Sequence, residues 1–249
     1  MTEVLYGRHA VLESLRAGRR DPHHLWLSEG LASATIIDEI IAEARTQRIP
    51  AGSVSRQEIA RIAGTAHHQG IALETSEYRY ADLSAILDRA DERDETPLVL
   101  LLDLIQDIHN LGSLVRTAEA AGVHGLIIQE RRAAGVTPAV VNTSSGAVEH
   151  MLVAQVTNLV RAMEQLQASD LWLAGLEDVY GAQLYTEIDM TIPLGLVVGN
   201  ESDGLRRLVR ERCDWILRLP MLGKINSLNA AIAGSIAIYE ALRQRQLVS

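Results

Sequence analysis

The sequence predicts an α/β protein, with a mainly parallel sheet in its larger C-terminal part and a smaller α/β unit before it. Two observations carry this expectation. Unbroken apolar runs recur after residue 97, as in 98–102 (LVLLL), 125–129 (GLIIQ) and 192–198 (IPLGLVV), and such runs mark strands buried on both faces. Stretches with helical apolar spacing lie between them. Strands alternating with helices argue a parallel sheet covered on both sides.

Residues 1–75 read as a small α/β unit. A short amphipathic helix is expected over 8–17, with Val11, Leu12 and Leu15 inward, and a short strand over 25–27. A helix over 34–46 carries Ile36, Ile37, Ile40, Ile41 and Ala44 on one stripe. Ser55-Arg56-Gln57-Glu58 has the form of a capping box for a helix that Gly64 ends, and a strand over 70–74 closes the unit. Residues 76–97 read as a connection with a short helix near Leu83, Ile86 and Leu87, followed by a charged run and Pro97. Beyond it, strands are expected over 98–102, 125–129, 171–176, 192–198 and 215–219. Helices are expected over 110–121, 157–168, 204–212 and 228–241, while 136–145 is ambiguous. The last helix is apolar or small on nearly every face, which predicts burial. Asn226 or Ser227 is its expected N-cap, and Asn110 that of the helix over 110–121.

Composition narrows the function. The 249 residues include 47% apolar side chains and no Phe, so the cores are built from Leu, Ile, Val and Ala. No run approaches the ~18 apolar residues of a membrane helix, and the N-terminus lacks the apolar core of a signal peptide. The single cysteine, Cys213, forms neither an internal disulfide nor a cysteine-based zinc site. A cytoplasmic protein is the expectation. The net charge of −9 argues against non-specific coating of nucleic acid. The charge is uneven, however: residues 1–80 hold 9 Lys and Arg against 10 Asp and Glu, with five of the eight His. Arg16, Arg19 and Arg20 around Gly18 read either as a solvated loop or as a cationic surface for RNA.

The usual cofactor loops are missing. There is no G-x-G-x-x-G. Gly199 and Gly204 have P-loop spacing, but Leu205-Arg206 follows where Lys-Ser/Thr is required. The histidines show no metal-ligand spacing. Three polar stretches stand instead at the ends of apolar elements: 110–118 (NLGSLVRTA), 199–205 (GNESDGL) and 219–229 (LPMLGKINSLN). Each alone reads as a capped helix or a polar turn. Together they place a guanidinium, a carboxylate, a hydroxyl, amides and glycines beyond the carboxyl ends of parallel strands, where ligands of open α/β sheets bind.

N-x-G-x-x-x-R-x-A, G-N-E-x-x-G-L and P-M-x-G-x-x-x-S-L-N-x-x-x-A, in this order, resemble the three motifs of the SpoU (TrmH) family of RNA ribose 2′-O-methyltransferases. Tyr6-Gly7-Arg8-His9-Ala10-Val11-Leu12-Glu13 and His68-Gln69-Gly70-Ile71 resemble the small substrate-binding domain of a branch that modifies a guanosine of 23S ribosomal RNA. The resemblance implies an L30e-like N-terminal domain over 1–75, a linker over 76–97, and an α/β trefoil-knot (SPOUT) domain over 98–249. It implies S-adenosylmethionine as methyl donor, an RNA substrate and a homodimer whose site combines both subunits. Gly199, Leu219 and Leu228 would contact the donor, with Asn200, Met221 and Ser227 nearby and Leu176 at the adenine. Arg116 falls on the position of the catalytic arginine, as proton acceptor or as a fixed cation, and Asn110, Glu201, Ser227 and Asn229 would position it and the RNA. Two other readings stay open: the same chemistry on tRNA, and a non-catalytic RNA-binding protein that kept the fold.

Overall fold

The computed structural model describes every residue except Met1, Ser33, Ser202, Ile225, Asn226, Val248 and Ser249. The chain divides into two compact units, one of residues 1–79 with 136–150, the other of 80–135 with 151–249. The sequence-based boundary at 76–97 does not anticipate that 136–150 packs with the N-terminal residues.

The first unit starts with β1 (Thr2–Tyr6), α1 (Arg8–Ala17), β2 (Pro22–Ser28) and α2 (Thr35–Thr46). It continues with β3 (Ala51–Val54), α3 (Arg56–Ala63) and β4 (Ile71–Ser76). Its sheet has the order β1-β4-β2-β3, with β4 antiparallel to both neighbours and β2 parallel to β3. The Ser55 side chain caps α3 by accepting from the Glu58 N–H, and Gly64 ends the helix in the left-handed region. Leu5, Leu25, Ile40, Ile59, Ile71 and Leu73 are fully buried and form its core. The segment 136–150 joins this unit through named contacts. Asn142 Nδ2 donates to the Tyr6 carbonyl at 3.0 Å, and the Glu149 carboxylate receives Arg20 Nε at 2.9 and 3.0 Å. Gly146 passes so close to Glu13 that a Cβ would lie 2.5 Å from the Glu13 Cβ.

These contacts take Arg20 out of the basic cluster around Gly18. Arg20 is buried between Glu149 and Glu3, Arg16 pairs with Glu13 and Glu39, and Arg19 donates to the Tyr78 hydroxyl. Of the arginines around Gly18, Arg20 is therefore internal and Arg19 half-buried, while Arg16 stays exposed beside its two carboxylate partners. His150 bonds Glu13 at 2.9 Å, and His68 is buried, so neither is a simple surface group.

The second unit begins with α4 (Leu83–Glu92), which runs through the charged stretch and buries Ile86 and Ala90. β5 (Leu98–Asp103), α5 (Ile108–Ala120) and β6 (Gly125–Gln129) follow. After the helix α6 (Pro138–Thr143) of the first unit come β7 (Leu152–Val156), α7 (Leu159–Gln167), β8 (Trp172–Leu176), β9 (Gln183–Leu184) and β10 (Leu194–Gly199). α8 (Arg207–Arg212), β11 (Trp215–Arg218) and α9 (Ala230–Gln246) complete the chain. The sheet is parallel, in the order β7-β6-β5-β10-β8-β11-β9. Every residue of β5, β6 and β10 is buried, as their apolar runs require. Val99, Leu101, Ile127, Met163, Leu166, Leu173 and Val197 form the core on the α7 side. On the other side α9 lies on α5 and β10, with Gly234 so close that a Cβ would meet Leu114 Cδ2 at 2.5 Å. The order leaves β5, β10, β8 and β11 side by side, so their carboxyl ends form one edge.

Four helix starts differ from expectation by two residues or more; that of α7 lies at Leu159, not 157, because Asn158 Oδ1 caps it, accepting from the Arg161 N–H at 3.2 Å. α5 begins at Ile108 because Asp107, not Asn110, is its cap: Asp107 Oδ1 accepts from the N–H groups of His109 and Asn110 at 2.9 and 2.8 Å. α9 begins at Ala230 because Asn229, not Ser227, caps it, its Oδ1 accepting from Ala231 and Ile232 at 2.9 and 3.2 Å. The alternative cap, Asn226, lies outside the described residues. α8 begins only at Arg207, after a turn at Gly204-Leu205. α9 is also not buried all round. Ala230, Ala237, Ile238 and Ala241 face inward, whereas Ile232 (52% exposed), Ile236 and Tyr239 (51%) form a stripe on the outside that the described residues leave uncovered.

Candidate active site

The site is built on the carboxyl edge of the sheet by three connections. The first joins β5 to α5. Because Asp107 caps α5, the Asn110 side chain is released from capping and points to the second connection, the turn after β10. There Asn110 Nδ2 donates to Glu201 Oε1 at 3.0 Å. The third connection ends at Asn229, whose Nδ2 donates to Asn110 Oδ1 at 2.8 Å and also to Glu201 Oε1. One side chain from each polar stretch thus meets in a closed set of hydrogen bonds. Asn229 uses its oxygen for the helix and its amide for the hub, so the cap fixes the hub's orientation.

The turn after β10 depends on two glycines. A Cβ on Gly199 would lie 2.3 Å from the backbone C and O of Gly204, a contact backbone cannot yield to. Gly204 has φ +64, the left-handed region that glycine adopts without strain. The turn is closed by Gly204 N–H donating to the Asn200 carbonyl at 3.1 Å and Asp203 N–H to Asn200 Oδ1 at 2.8 Å.

Beside the hub lies a cavity of about 240 Å³. Leu176, Gly199, Asn200, Leu219, Met221 and Leu228, the six residues assigned to donor binding from sequence, all line it, as do Ser227 and Glu201. Its wall also includes Ala233, the last residue of the third motif, and Glu177, Asp178, Val198 and Leu217, which the motifs did not single out. Glu177 and Asp178 directly follow the β8 strand end, which was the available signal for them. The lining suits S-adenosylmethionine. Leucine and valine side chains offer apolar contact to an adenine, and carboxylates of Glu177, Asp178 and Glu201 offer acceptors for ribose hydroxyls and a counter-charge for a sulfonium. The small side chain of Ala233 leaves room for close approach on the α9 side.

Arg116 is placed apart from this cavity. It sits on the exposed face of α5, along which His109 and Ser113 border a groove with Ile232, Ser235, Ile236 and Tyr239 of α9. Thr117 Oγ1 and Ser235 Oγ, 2.9 Å apart, tie the two helices there. Cys213 takes no part: burial, and then the neighbouring Asp214, push its thiol up to about 12. Among the described residues no helix is long and apolar enough to cross a membrane.

Comparison with known proteins adds to this geometry. The profile of the SpoU rRNA methylase family matches residues 97–239, and that of RNA 2′-O ribose methyltransferase substrate binding matches residues 4–81. A putative TrmH family tRNA/rRNA methyltransferase of Bacillus subtilis, YacO, is 39% identical over 246 residues, covering 99% of this chain and 97% of that protein. The SpoU methyltransferase AviRb of Streptomyces viridochromogenes, solved with AdoMet, superposes with a TM-score of 0.80 at 26% identity, over 99% of this chain and 91% of that one. An AdoMet-bound rRNA methyltransferase of Sinorhizobium meliloti gives 0.78 at 25% identity, over 97% and 87%.

Proposed function

The chain belongs to the SpoU rRNA methylase family, whose methyl donor is S-adenosylmethionine, and from that premise we propose that it methylates a ribose 2′-hydroxyl in 23S ribosomal RNA, at a guanosine, in the cytoplasm. The observation that carries the reading is the hydrogen-bonded hub of Asn110, Glu201 and Asn229 at the lip of the cavity. The N-terminal unit, which matches an RNA 2′-O ribose methyltransferase substrate-binding profile over 4–81, would hold the RNA, and ribosomal RNA is the substrate this reading commits to.

The bound donor supplies an already activated methyl group on a positively charged sulfur. What remains for the protein is alignment of the ribose oxygen and removal of its proton. Leu176, Gly199, Asn200, Leu219, Met221 and Leu228 would hold the donor. The hub orients Glu201 and the two amides toward the ribose, with Ser227 on the same wall. Arg116 serves either as proton acceptor or as a fixed cation for the forming alkoxide. A delocalised guanidinium gives up its proton reluctantly, which favours the electrostatic role.

The catalytic form is a homodimer in this reading. The uncovered stripe of Ile232, Ile236 and Tyr239 supports it, because a second copy would bury that face. Arg116, one turn beyond Ser113 of the same groove, would then serve the cavity of the partner. The test is transfer of labelled methyl to unmodified rRNA and to tRNA by wild type and Arg116→Ala. The reading expects labelled rRNA, retained S-adenosylhomocysteine binding in Arg116→Ala, and a loss of rate of about 10²-fold or more. Labelling of tRNA alone moves the substrate assignment; labelling of neither, with donor bound, removes the enzymatic reading.

A further inference from the structure

The turn that carries Glu201 is tied at its far end to a buried carboxylate on a neighbouring strand. Asp103 is the last residue of β5, fully buried, and stands in register with Gly199 at the end of β10. Its Oδ2 accepts from the backbone N–H of Arg206 at 2.8 Å, and its Oδ1 from Arg206 Nε at 2.7 Å. One carboxylate therefore holds both the backbone and the side chain of the residue that immediately precedes α8. A second guanidinium secures the neighbouring residues. Arg210 Nη2 donates to the Leu205 carbonyl at 3.1 Å, and Arg210 Nε lies 2.6 Å from Glu177 Oε2. Glu177 Oε1 in turn lies 2.6 Å from where a Cβ on Gly204 would be, so the absence of a side chain there lets the carboxylate pass.

The consequence follows from the chain path. Between Gly199, fixed in the sheet, and Arg206, fixed on Asp103, only six residues intervene. Asn200, Glu201 and Gly204 of those six line the cavity. Neither Asp103 nor Arg206 lines it, yet a shift of their pair would move that wall and the hub together. An exposed surface pair would matter little. Here the carboxylate is removed from water, so losing its partner leaves an uncompensated buried charge, and the turn must move to relieve it.

We infer that Asp103 and Arg206 are positioning residues for methyl transfer: their ion pair sets the Gly199–Leu205 turn, and through it the place of Glu201 and of the donor-cavity wall. The effect on Glu201 rests on the catalytic reading above, whereas the effect on the cavity wall does not.

The test uses the full chain with Asp103→Asn, Arg206→Gln, the two combined, Arg206→Lys, and Arg207→Gln as an exposed control. Two quantities are measured: the Kd of S-adenosylhomocysteine by calorimetry, and kcat and RNA KM for methyl transfer on folded protein. Each single variant is expected to weaken binding about fivefold or more and to lower kcat about 10- to 100-fold, with RNA KM within about twofold, as a small misplacement would. The combined variant is expected to be no worse than the worse single one. Arg206→Lys keeps a charge opposite Asp103 and recovers part of the loss, which covers the case of a misfolded glutamine variant. Arg207→Gln matches wild type. Binding and kcat within about twofold of wild type in the folded variants, or single losses that multiply in the pair, overturn the inference. If wild type methylates no RNA, the binding measurements decide alone.

Discussion

Asn110 and Glu201 lie 91 residues apart in sequence and share a hydrogen bond of 3.0 Å, Asn110 Nδ2 to Glu201 Oε1. The bond exists because Asp107 takes over the capping of α5 and leaves the Asn110 amide for the turn after β10. Asn229 closes the set from the start of α9.

Breaking the hub should act on the chemical step more than on folding. Its members are surface-accessible, so water replaces a lost partner at little cost in stability. Glu201→Gln and Asn110→Ala are expected to lower kcat about 10- to 100-fold through misplacement of the remaining groups. Their Tm should stay within about 3 °C of wild type, as for surface changes of at most ~0.5 kcal/mol. Asn229→Ala differs, because it also removes the α9 cap, for which about 1 kcal/mol of stability is expected to be lost. Steady-state kinetics beside thermal melting separates the two effects. A fall in Tm for Asn110→Ala as large as that for Asn229→Ala would contradict the division of labour between cap and hub.

Much of the larger unit was legible because burial on both faces leaves a plain mark. β5, β6 and β10 stand where the apolar runs of 98–102, 125–129 and 192–198 place them. β3 was not legible: AGSV is four residues of an edge strand, with no alternation to read. The choice between Asp107 and Asn110 as cap was not legible either, since either side chain can satisfy the first turn. The packing of 136–150 against 1–79 depends on pairs such as Arg20 with Glu149, separated by 129 residues, which no local pattern reveals. That same pair takes Arg20 out of the basic cluster around Gly18, because a local cluster of arginines says nothing about distant carboxylates. That Gly199, Asn200, Leu219, Met221 and Leu228 share one cavity was suggested only by the motifs. Composition and spacing alone left 219–229 as an ordinary capped helix start.

Gly199→Ala tests the turn directly. The added methyl would meet Gly204 backbone atoms at 2.3 Å, and backbone on both sides leaves no soft neighbour to give way. A loss of about 1–3 kcal/mol in stability is expected, as for overpacking elsewhere. Affinity for S-adenosylhomocysteine should drop about tenfold or more, because the displaced turn is a wall of the cavity. Gly223→Ala meets nothing within 4 Å and should leave Tm unchanged. Equal donor affinity in Gly199→Ala and wild type would show that the turn tolerates displacement.

The uncovered face of α9 predicts an assembly. Ile232→Glu and Tyr239→Glu put charge on the stripe without touching the packed face of Ala237, Ile238 and Ala241. In sedimentation, wild type is expected at twice the chain mass and the variants at the mass of one chain. With Arg116 serving the partner's cavity, the variants should also lose methyl transfer. A mixture of Arg116→Ala and Glu201→Gln chains should recover up to about a quarter of the wild-type rate per chain at random pairing. A monomeric wild type with full activity would remove both the dimer and the shared site.

Two buried histidines predict a loss of stability in mild acid. His68 Nδ1 accepts from the Gly70 N–H at 3.0 Å, and burial, followed by the Arg56 charge, holds its pKa below the ordinary value. His124 Nδ1 accepts from the Leu98 N–H at 3.0 Å at the start of β5. Burial lowers the His124 pKa as well, against the upward pull of Glu95, whose Oε2 lies 3.0 Å from Nε2. Both rings therefore carry their proton on Nε2 and lose a hydrogen bond when Nδ1 is protonated. The sign follows from proton binding: the folded rings bind protons less readily than the unfolded ones. Their contribution is present above the unfolded value of ~6.5 and is lost as pH falls through the lower folded values. Thermal melting between pH 7.5 and 5 should show Tm declining below about 6.5. His68→Asn and His124→Asn keep an acceptor close to the position of Nδ1 and remove the titration, so each should flatten the decline, and the pair should flatten it further. A slope unchanged in both variants would place the acid sensitivity in the carboxylates instead.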